Sequence, residues 1–464
     1  MSDETLRQNL SSELETKELF AQAQRYAYEY MDSTGDAPVF PSESSLAALS
    51  VFDEAMPDSS QNGSEVLKQL HEVGGPATVR QTGGKYFGYV CGGILPVAAA
   101  SRWLTDVWDQ NTALYLQSPV AAKLEQVVEQ WLADLLHLPA DTAIGLVGGS
   151  SLATICGVAA ARSALLAKKG WDVEAEGLFG APPIRVVVSD QAHSSVFKAL
   201  ALLGLGRNRI EKVRTDEQGR MIVAEIPPLD SNTLVILSAG NVFTGSFDFI
   251  DALCDMAQKG GAWVHVDGAF GLWAAAAPKV AHLTKGMEKA DSWCADAHKT
   301  LNSPYDCGII FCKDRGALTT AMAASGSYLQ ESSLHRDAMF YTPDMSRRSR
   351  SLDLWVTLKS LGKQGVAALV EGLVDRAQEF SVQLQQAGFT VLHDVVFNQC
   401  MFRCDTDDST VSTLKGVQSS GDMWCGAATW GGRPAIRISC CSWATSAADV
   451  VSCVGVILKA RSSS

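Results

Sequence analysis

The chain lacks a basic excess: Lys and Arg number 38 against 51 Asp and Glu, and the formal charge is −13. A surface of that sign repels phosphate backbones and anionic headgroups, so neither nucleic acid nor a membrane surface is an expected partner. The twelve cysteines contain no C-x-x-C pair and no zinc-like repeat. They are read as reduced, mostly core thiols, and no metal is expected. No stretch runs apolar for about 18 residues without interruption, which argues against a spanning helix. The start MSDETLRQNLSSELETKELF is acidic, where a secretory leader would be basic and then apolar. The closing SSS is no peroxisomal address. A soluble, cytoplasmic protein is the expectation.

What is present is apolar and long. Hydrophobic residues make up 47% of 464 residues and charged ones 19%, enough to offset chain entropy by burial. At about 150 residues per domain there is room for two or three domains or one large one. Residues 1–80 hold helical patches joined by polar loops and read as an arm rather than a core. From 81 to 325, apolar β-rich runs (RVVVSD, TLVILSAG, AWVHVDG, GIIFCK) alternate with helical stretches, the texture of a mostly parallel sheet. Residues 326–464 open on a long helical stretch, Leu352 to Ala387. Strands follow near Thr390 to Leu392 and Ala435 to Cys440, which suits a smaller α+β domain. One helix carries clear signals: Ser118 as cap, Pro119 in the first turn, and Val120, Leu124, Val127, Val128, Trp131 and Leu135 on one face.

Chemistry concentrates at strand ends. Gly148, Gly149, Ser150 and Ser151 follow the apolar run IGLV and open a helix, where N–H groups and hydroxyls can converge on an anion. The P-loop lysine and G-x-G-x-x-G spacing are missing, so such an anion would not be a nucleotide's. HVDGAFG places Asp267 at the end of a buried strand, where a carboxylate needs a cationic partner. Further on, ADAHKTLNSPYDCG sets His298 and Lys299 beside another strand end.

With GGSS, SDQAHSSVFKAL, AGNVFTGSFD, WVHVDGAFG, DAHKTLNSPYDCG, SRRSRSLDLW and AIRIS in this order, roughly residues 85 to 445 resemble the pyridoxal phosphate-dependent group II amino-acid decarboxylases. That family has the aspartate aminotransferase-like, type I fold: a large domain on a mostly parallel sheet, a smaller C-terminal α+β domain and, here, an N-terminal helical arm. The resemblance implies that Lys299 carries pyridoxal 5′-phosphate as a Schiff base. It implies that Asp267 pairs with the pyridine nitrogen, that His193 stacks on one ring face and that Ala269 supports the other. Gly149, Ser150, Ser151 and His298 fall at the phosphate, Asn241 near the phenolic oxygen, and Asp296 is a second contact near that loop. The segment SGSYLQESSLHRD aligns with a loop whose Tyr protonates the product carbanion, making Tyr328 the candidate acid. Arg437 is a carboxylate or structural contact, and Trp108 lies near the entrance where relatives meet substrate.

Two departures stand out: Thr300 follows the lysine where many relatives carry Trp, and Phe243 sits in a loop that is often polar. Both are expected to reshape the pocket. The resemblance further implies a homodimer, with the active site at the subunit interface and the arm clasping a partner. The expected reaction is decarboxylation of an L-amino acid to the amine and carbon dioxide. The alternatives are decarboxylative carbon–carbon bond formation, oxidation to an aldehyde, aminotransfer, or a non-catalytic interaction protein.

Overall fold

The structure is a computed structural model, and it describes residues 3–323 and 335–462. Among these, the strands in chain order are β1 (Tyr86–Phe87), β2 (Ala143–Val147), β3 (Arg185–Ser189), β4 (Ile210–Val213), β5 (Thr233–Ser238), β6 (Trp263–Asp267), β7 (Ser292–Asp296) and β8 (Gly308–Cys312). The C-terminal part adds β9 (Thr390–Val391), β10 (Gln399–Arg403), β11 (Trp424–Trp430) and β12 (Arg433–Ser439). The larger sheet has the order β2-β8-β7-β6-β5-β3-β4. Its strands β4, β3, β5, β6 and β7 are parallel, and β8 runs against both neighbours.

The parallel strands read as unbroken apolar runs because both faces are covered. Val147, Val188, Ile236 and Ile310 face the helix Ser150–Ala167, while Leu146, Val187, Val235 and Val264 face Trp273, Trp293 and Phe311. Each fully buried aliphatic side chain contributes about 1.5–3 kcal/mol, so this double layer holds the strand ends in place. Helix Ser150–Ala167 does have the length and apolarity of a membrane span, unlike the expectation above, but 67% of it is buried in the core.

The smaller sheet has the order β1-β11-β12-β10-β9. Its first strand is Tyr86–Phe87, paired in parallel with Trp424–Cys425. The chain therefore enters the C-terminal sheet, at Tyr86–Phe87, before it starts the larger one. The long helix Arg350–Gln386 packs on helix Pro119–Leu135 and on β10, and it breaks at Gly362 (φ 59°, ψ 178°). A positive φ combined with an extended ψ is a conformation that glycine alone adopts without strain.

The helix Pro119–Leu135 begins where expected and buries Val128 and Leu135 as read, with Trp131 packed against the core, but the buried stripe also takes in Ala121, Ala122, Glu125 and Leu132. Val120 is exposed, whereas Glu125 is fully buried. Its carboxylate takes a hydrogen bond from Arg347 Nη2 at 3.0 Å, with Arg336 Nη2 at 3.5 Å. A charged residue can occupy a core position only when paired in this way.

Candidate active site

Strands β3, β5, β6 and β7 end side by side, and the predicted residues leave the sheet at that edge, as ligand-binding groups do in open α/β sheets. Ser238 at the end of β5 pairs with Asp267 at the end of β6, and Asp267 pairs with Cys294 of β7. Asp267 Oδ1 accepts from the Ala269 N–H at 3.2 Å and from Cys294 Sγ at 3.4 Å. His193 caps the helix Ser194–Leu202, its Nδ1 accepting from the Ser195 N–H at 3.3 Å with Ser195 Oγ at 2.7 Å. Burial lowers its pKa, and the charges of Asp267, Lys299, Arg437 and Asp296 act on it electrostatically.

Lys299 lies three residues beyond β7, with Nζ 3.2 Å from Asp296 Oδ2. Burial pushes its pKa down, but the Asp296 and Asp267 carboxylates outweigh it and hold the ammonium above its ordinary range. The lysine turn is pinned by a residue that sequence reading did not single out. Asn302, itself left-handed at φ 54°, donates through Nδ2 to the carbonyls of Lys299 (3.1 Å), Thr300 (3.0 Å) and Cys441 (2.9 Å). Its Oδ1 accepts from Gly93 N (3.0 Å) and Trp443 N (2.9 Å). A Cβ at Gly92 would sit 2.2 Å from the Lys299 carbonyl oxygen, so only glycine lets that strand-like segment cross the lysine.

At the start of helix Ser150–Ala167, Ser150 gives its N–H (2.6 Å) and hydroxyl (2.7 Å) to Asp296, while Ser151 is exposed. Gly308 presses on this turn: a Cβ there would lie 2.4 Å from the Gly149 backbone. His298 is buried and held neutral by desolvation, with Nδ1 against the Cys307 backbone and its ring 4.4 Å from Tyr305.

Other predicted residues are placed differently. Asn241 commits its amide to Gln191, Gly219, Phe243 and Thr244, which makes it the organiser of its own loop. Thr300 is fully buried and donates to the Phe270 carbonyl at 2.7 Å. Phe243 packs 6.1 Å from Trp430. Trp108 ends helix Pro96–Trp108 with an exposed indole, and the described residues show no ring contact from it to the cluster. Tyr328 lies outside the described residues.

Arg437, on β12, reaches across to donate to the Val242 carbonyl at 2.8 Å. It is 8% exposed, its Nε is buried without a hydrogen-bond partner, and no carboxylate pairs with it among the described residues. Burial lowers its pKa, and the hydroxyl of Tyr89 acts in the opposite sense. Tyr89 belongs to an aromatic stack that sequence reading also missed: Tyr86 and Tyr89 flank Trp424 at 5.3 and 5.4 Å.

This donor set fits pyridoxal phosphate. It offers an amine for the aldehyde, a carboxylate at a strand end for a pyridinium, a neutral imidazole for a ring face, and a helix N-terminus for a phosphate.

Comparison with known proteins agrees. Residues 46–405 match the family model described as the pyridoxal-dependent decarboxylase conserved domain. A tryptophan decarboxylase of Camptotheca acuminata is 26% identical over 444 residues, covering 89% of this chain and 88% of that protein. A phenylacetaldehyde synthase of Petunia hybrida is 29% identical over 286 residues, 57% of this chain and 55% of that one. The crystal structure of Oryza sativa TDC with PLP and tryptamine superimposes with a TM-score of 0.87 at 22% identity, covering 97% and 98% of the two chains. With its strand-end lysine, aspartate and histidine gathered at one sheet edge, the chain belongs to the pyridoxal-dependent decarboxylases, pyridoxal phosphate enzymes that act on amino acids as decarboxylases or as the related aldehyde synthases.

Proposed function

We propose that this enzyme removes the α-carboxylate of a small L-amino acid, releasing the amine and carbon dioxide, with its cofactor carried on Lys299. Bound there, pyridoxal phosphate supplies a conjugated sink for the electrons of the bond broken at the substrate's Cα. The chain's residues decide how it is used. Asp267 keeps a proton on the ring nitrogen, His193 covers one ring face, and Ser151 with the N-terminus of helix Ser150–Ala167 holds the phosphate.

The observation that carries this reading is Arg437: a buried guanidinium beside the lysine cluster, with no carboxylate of the protein to neutralise it. A substrate carboxylate is the natural complement. Held there, the substrate would be presented to the cofactor in a single orientation.

The test is to incubate the loaded enzyme with a panel of L-amino acids and to follow carbon dioxide, amine, aldehyde and keto acid by mass spectrometry. Carbon dioxide with stoichiometric amine supports the proposal. Aldehyde in place of amine would put the enzyme with the synthase relatives, and keto acid without carbon dioxide would remove decarboxylation altogether.

We also propose a homodimer. Leu6, Leu10, Leu14 and Phe20 of the N-terminal helices and Leu104, Val107 and Trp108 of helix Pro96–Trp108 are all exposed, more apolar surface than a lone chain leaves in water. Light scattering at micromolar concentration should give twice the 49.6 kDa chain mass. A monomer with full activity refutes it.

A further inference from the structure

The cradle at the start of helix Ser150–Ala167 already holds an anion, and it is the protein's own. Asp296 is 1% exposed, with Oδ1 2.6 Å from the Ser150 nitrogen and Oδ2 2.7 Å from Ser150 Oγ and 3.2 Å from Lys299 Nζ. This arrangement opposes cofactor loading twice. An ionised carboxylate repels a phosphate that needs the same helix end. An ammonium has no free electron pair with which to attack a carbonyl.

One proton removes both obstacles. We propose that Asp296 is the proton acceptor for Lys299 when the cofactor's phosphate docks: the ammonium proton crosses the 3.2 Å contact to Oδ2. The N–H bond breaks, its electron pair stays on Nζ, an O–H bond forms on Asp296, and nothing else is consumed. The amine becomes a nucleophile at the moment the cradle loses its negative charge. Position sets the direction of transfer. Asp296 accepts directly from both Ser150 donors, whereas Lys299 Nζ reaches them only through the Oδ2 it shares with Ser150 Oγ, so a dianion at the helix end acts more strongly on the Asp296 carboxylate than on the Lys299 amine. Among the described residues, the other titratable groups facing the pair are His298, with Nε2 3.7 Å from Oδ2, together with His193, Asp267, Tyr305 and the buried thiols of Cys294, Cys307 and Cys441. Burial keeps both histidines neutral, so neither supplies the proton. Asp267 lies on the neighbouring strand end and makes no contact with the Ser150 donors.

This inference rests on the reading of Lys299 and of the Gly149–Ser151 turn given above, and its test separates the two. The probe is inorganic sulfate, which carries the dianion but no aldehyde and does not titrate over the neutral range. Cofactor-free enzyme is acetylated with acetic anhydride with and without saturating sulfate, and the peptide containing His298 and Lys299 is quantified by mass spectrometry against the other lysines. Sulfate binding is measured separately by calorimetry. Loss of one close ion pair lowers an amine pKa by at least a unit, so Lys299 acetylation should rise about tenfold while the reference lysines do not change. In Asp296→Asn, Lys299 should react fast from the start and sulfate should no longer accelerate it. Sulfate that binds the wild type without speeding Lys299 overturns the proton transfer and leaves the cradle standing. Sulfate that does not bind overturns both. Should Asp296→Asn fail to fold, the wild-type comparison decides the matter alone.

Discussion

Replacing Arg437 by Met separates a substrate role from a structural one, because the two predict opposite patterns. The guanidinium makes one hydrogen bond, to the Val242 carbonyl at 2.8 Å, and is 8% exposed with no carboxylate partner among the described residues. Methionine keeps the aliphatic stem. The lost hydrogen bond costs about 1 kcal/mol, and release of an unneutralised buried charge offsets it, so stability should change by no more than about 1 kcal/mol. A charge-assisted bond to the substrate's carboxylate is worth about 1.5–3 kcal/mol, so kcat/KM should fall roughly 10- to 150-fold. The assays are carbon dioxide release under steady-state conditions and the urea midpoint of each protein. A loss of about 3 kcal/mol in stability with kcat/KM unchanged would show that Arg437 serves only to tie β12 to the Val242 loop, and the substrate argument would fall.

Borohydride reduction of the loaded enzyme should fix the cofactor's mass on the peptide carrying Lys299, and Lys299→Ala should abolish the label. Recovery on Lys285 or Lys289, which are paired with Asp251 and Asp255, would refute the assignment. Glu125→Ala leaves Arg347 buried without its counter-ion, while Arg336 keeps Glu129, and should cost about 3–5 kcal/mol in denaturant unfolding, whereas a cost under about 1 kcal/mol would show the ion pair to be dispensable. Stability should fall in mild acid. Burial lowers fully buried His265 to about 4. A depressed histidine contributes stability above its unfolded value of about 6.5 that is lost as pH drops toward the folded value, which amounts to roughly 2 kcal/mol by about pH 5. An unfolding midpoint that does not move between about pH 8 and pH 5 would contradict this.

What could be read along the chain was whatever depends on near neighbours. The runs Val186–Val188, Leu234–Leu237 and Ile309–Phe311 are apolar without alternation and became strands β3, β5 and β8, and Trp263–Val266, broken only by His265, became β6. The helix opening at Gly149–Ser150 and closing before Gly170 was legible from its turn residues. What stayed hidden depends on partners far along the chain. Glu125 looks like a surface residue until Arg347 arrives 222 positions later. Ser150 looks like a phosphate ligand until Asp296, 146 positions away, takes both its donors. Tyr86–Phe87 is too short to announce a strand and exists as one only because Trp424–Cys425 offers it an edge. Asn302 carries no periodic signal, yet five hydrogen bonds make it the anchor of the lysine turn.

The segment SRRSRSLDLW shows how a stretch that marks a family can act at a distance from the chemistry. Its three arginines are all spent inside the protein: Arg347 on Glu125, Arg348 on Asp306 and Asp353, and Arg350 on Asp306 and Asp344. None is left for a substrate, in contrast to Arg437. Two of them converge on Asp306, whose Oδ2 would lie 2.9 Å from a Cβ placed on Gly148. Burial alone would raise the Asp306 pKa, but Arg350 and Arg348 bring it below the ordinary carboxylate range, so it stays ionised and clamped. A clamped carboxylate pressed against Gly148 fixes the turn that opens helix Ser150–Ala167. Arg348 and Arg350 therefore brace the anion cradle from behind, and a mutation of either should loosen cofactor binding without touching the lysine that carries it.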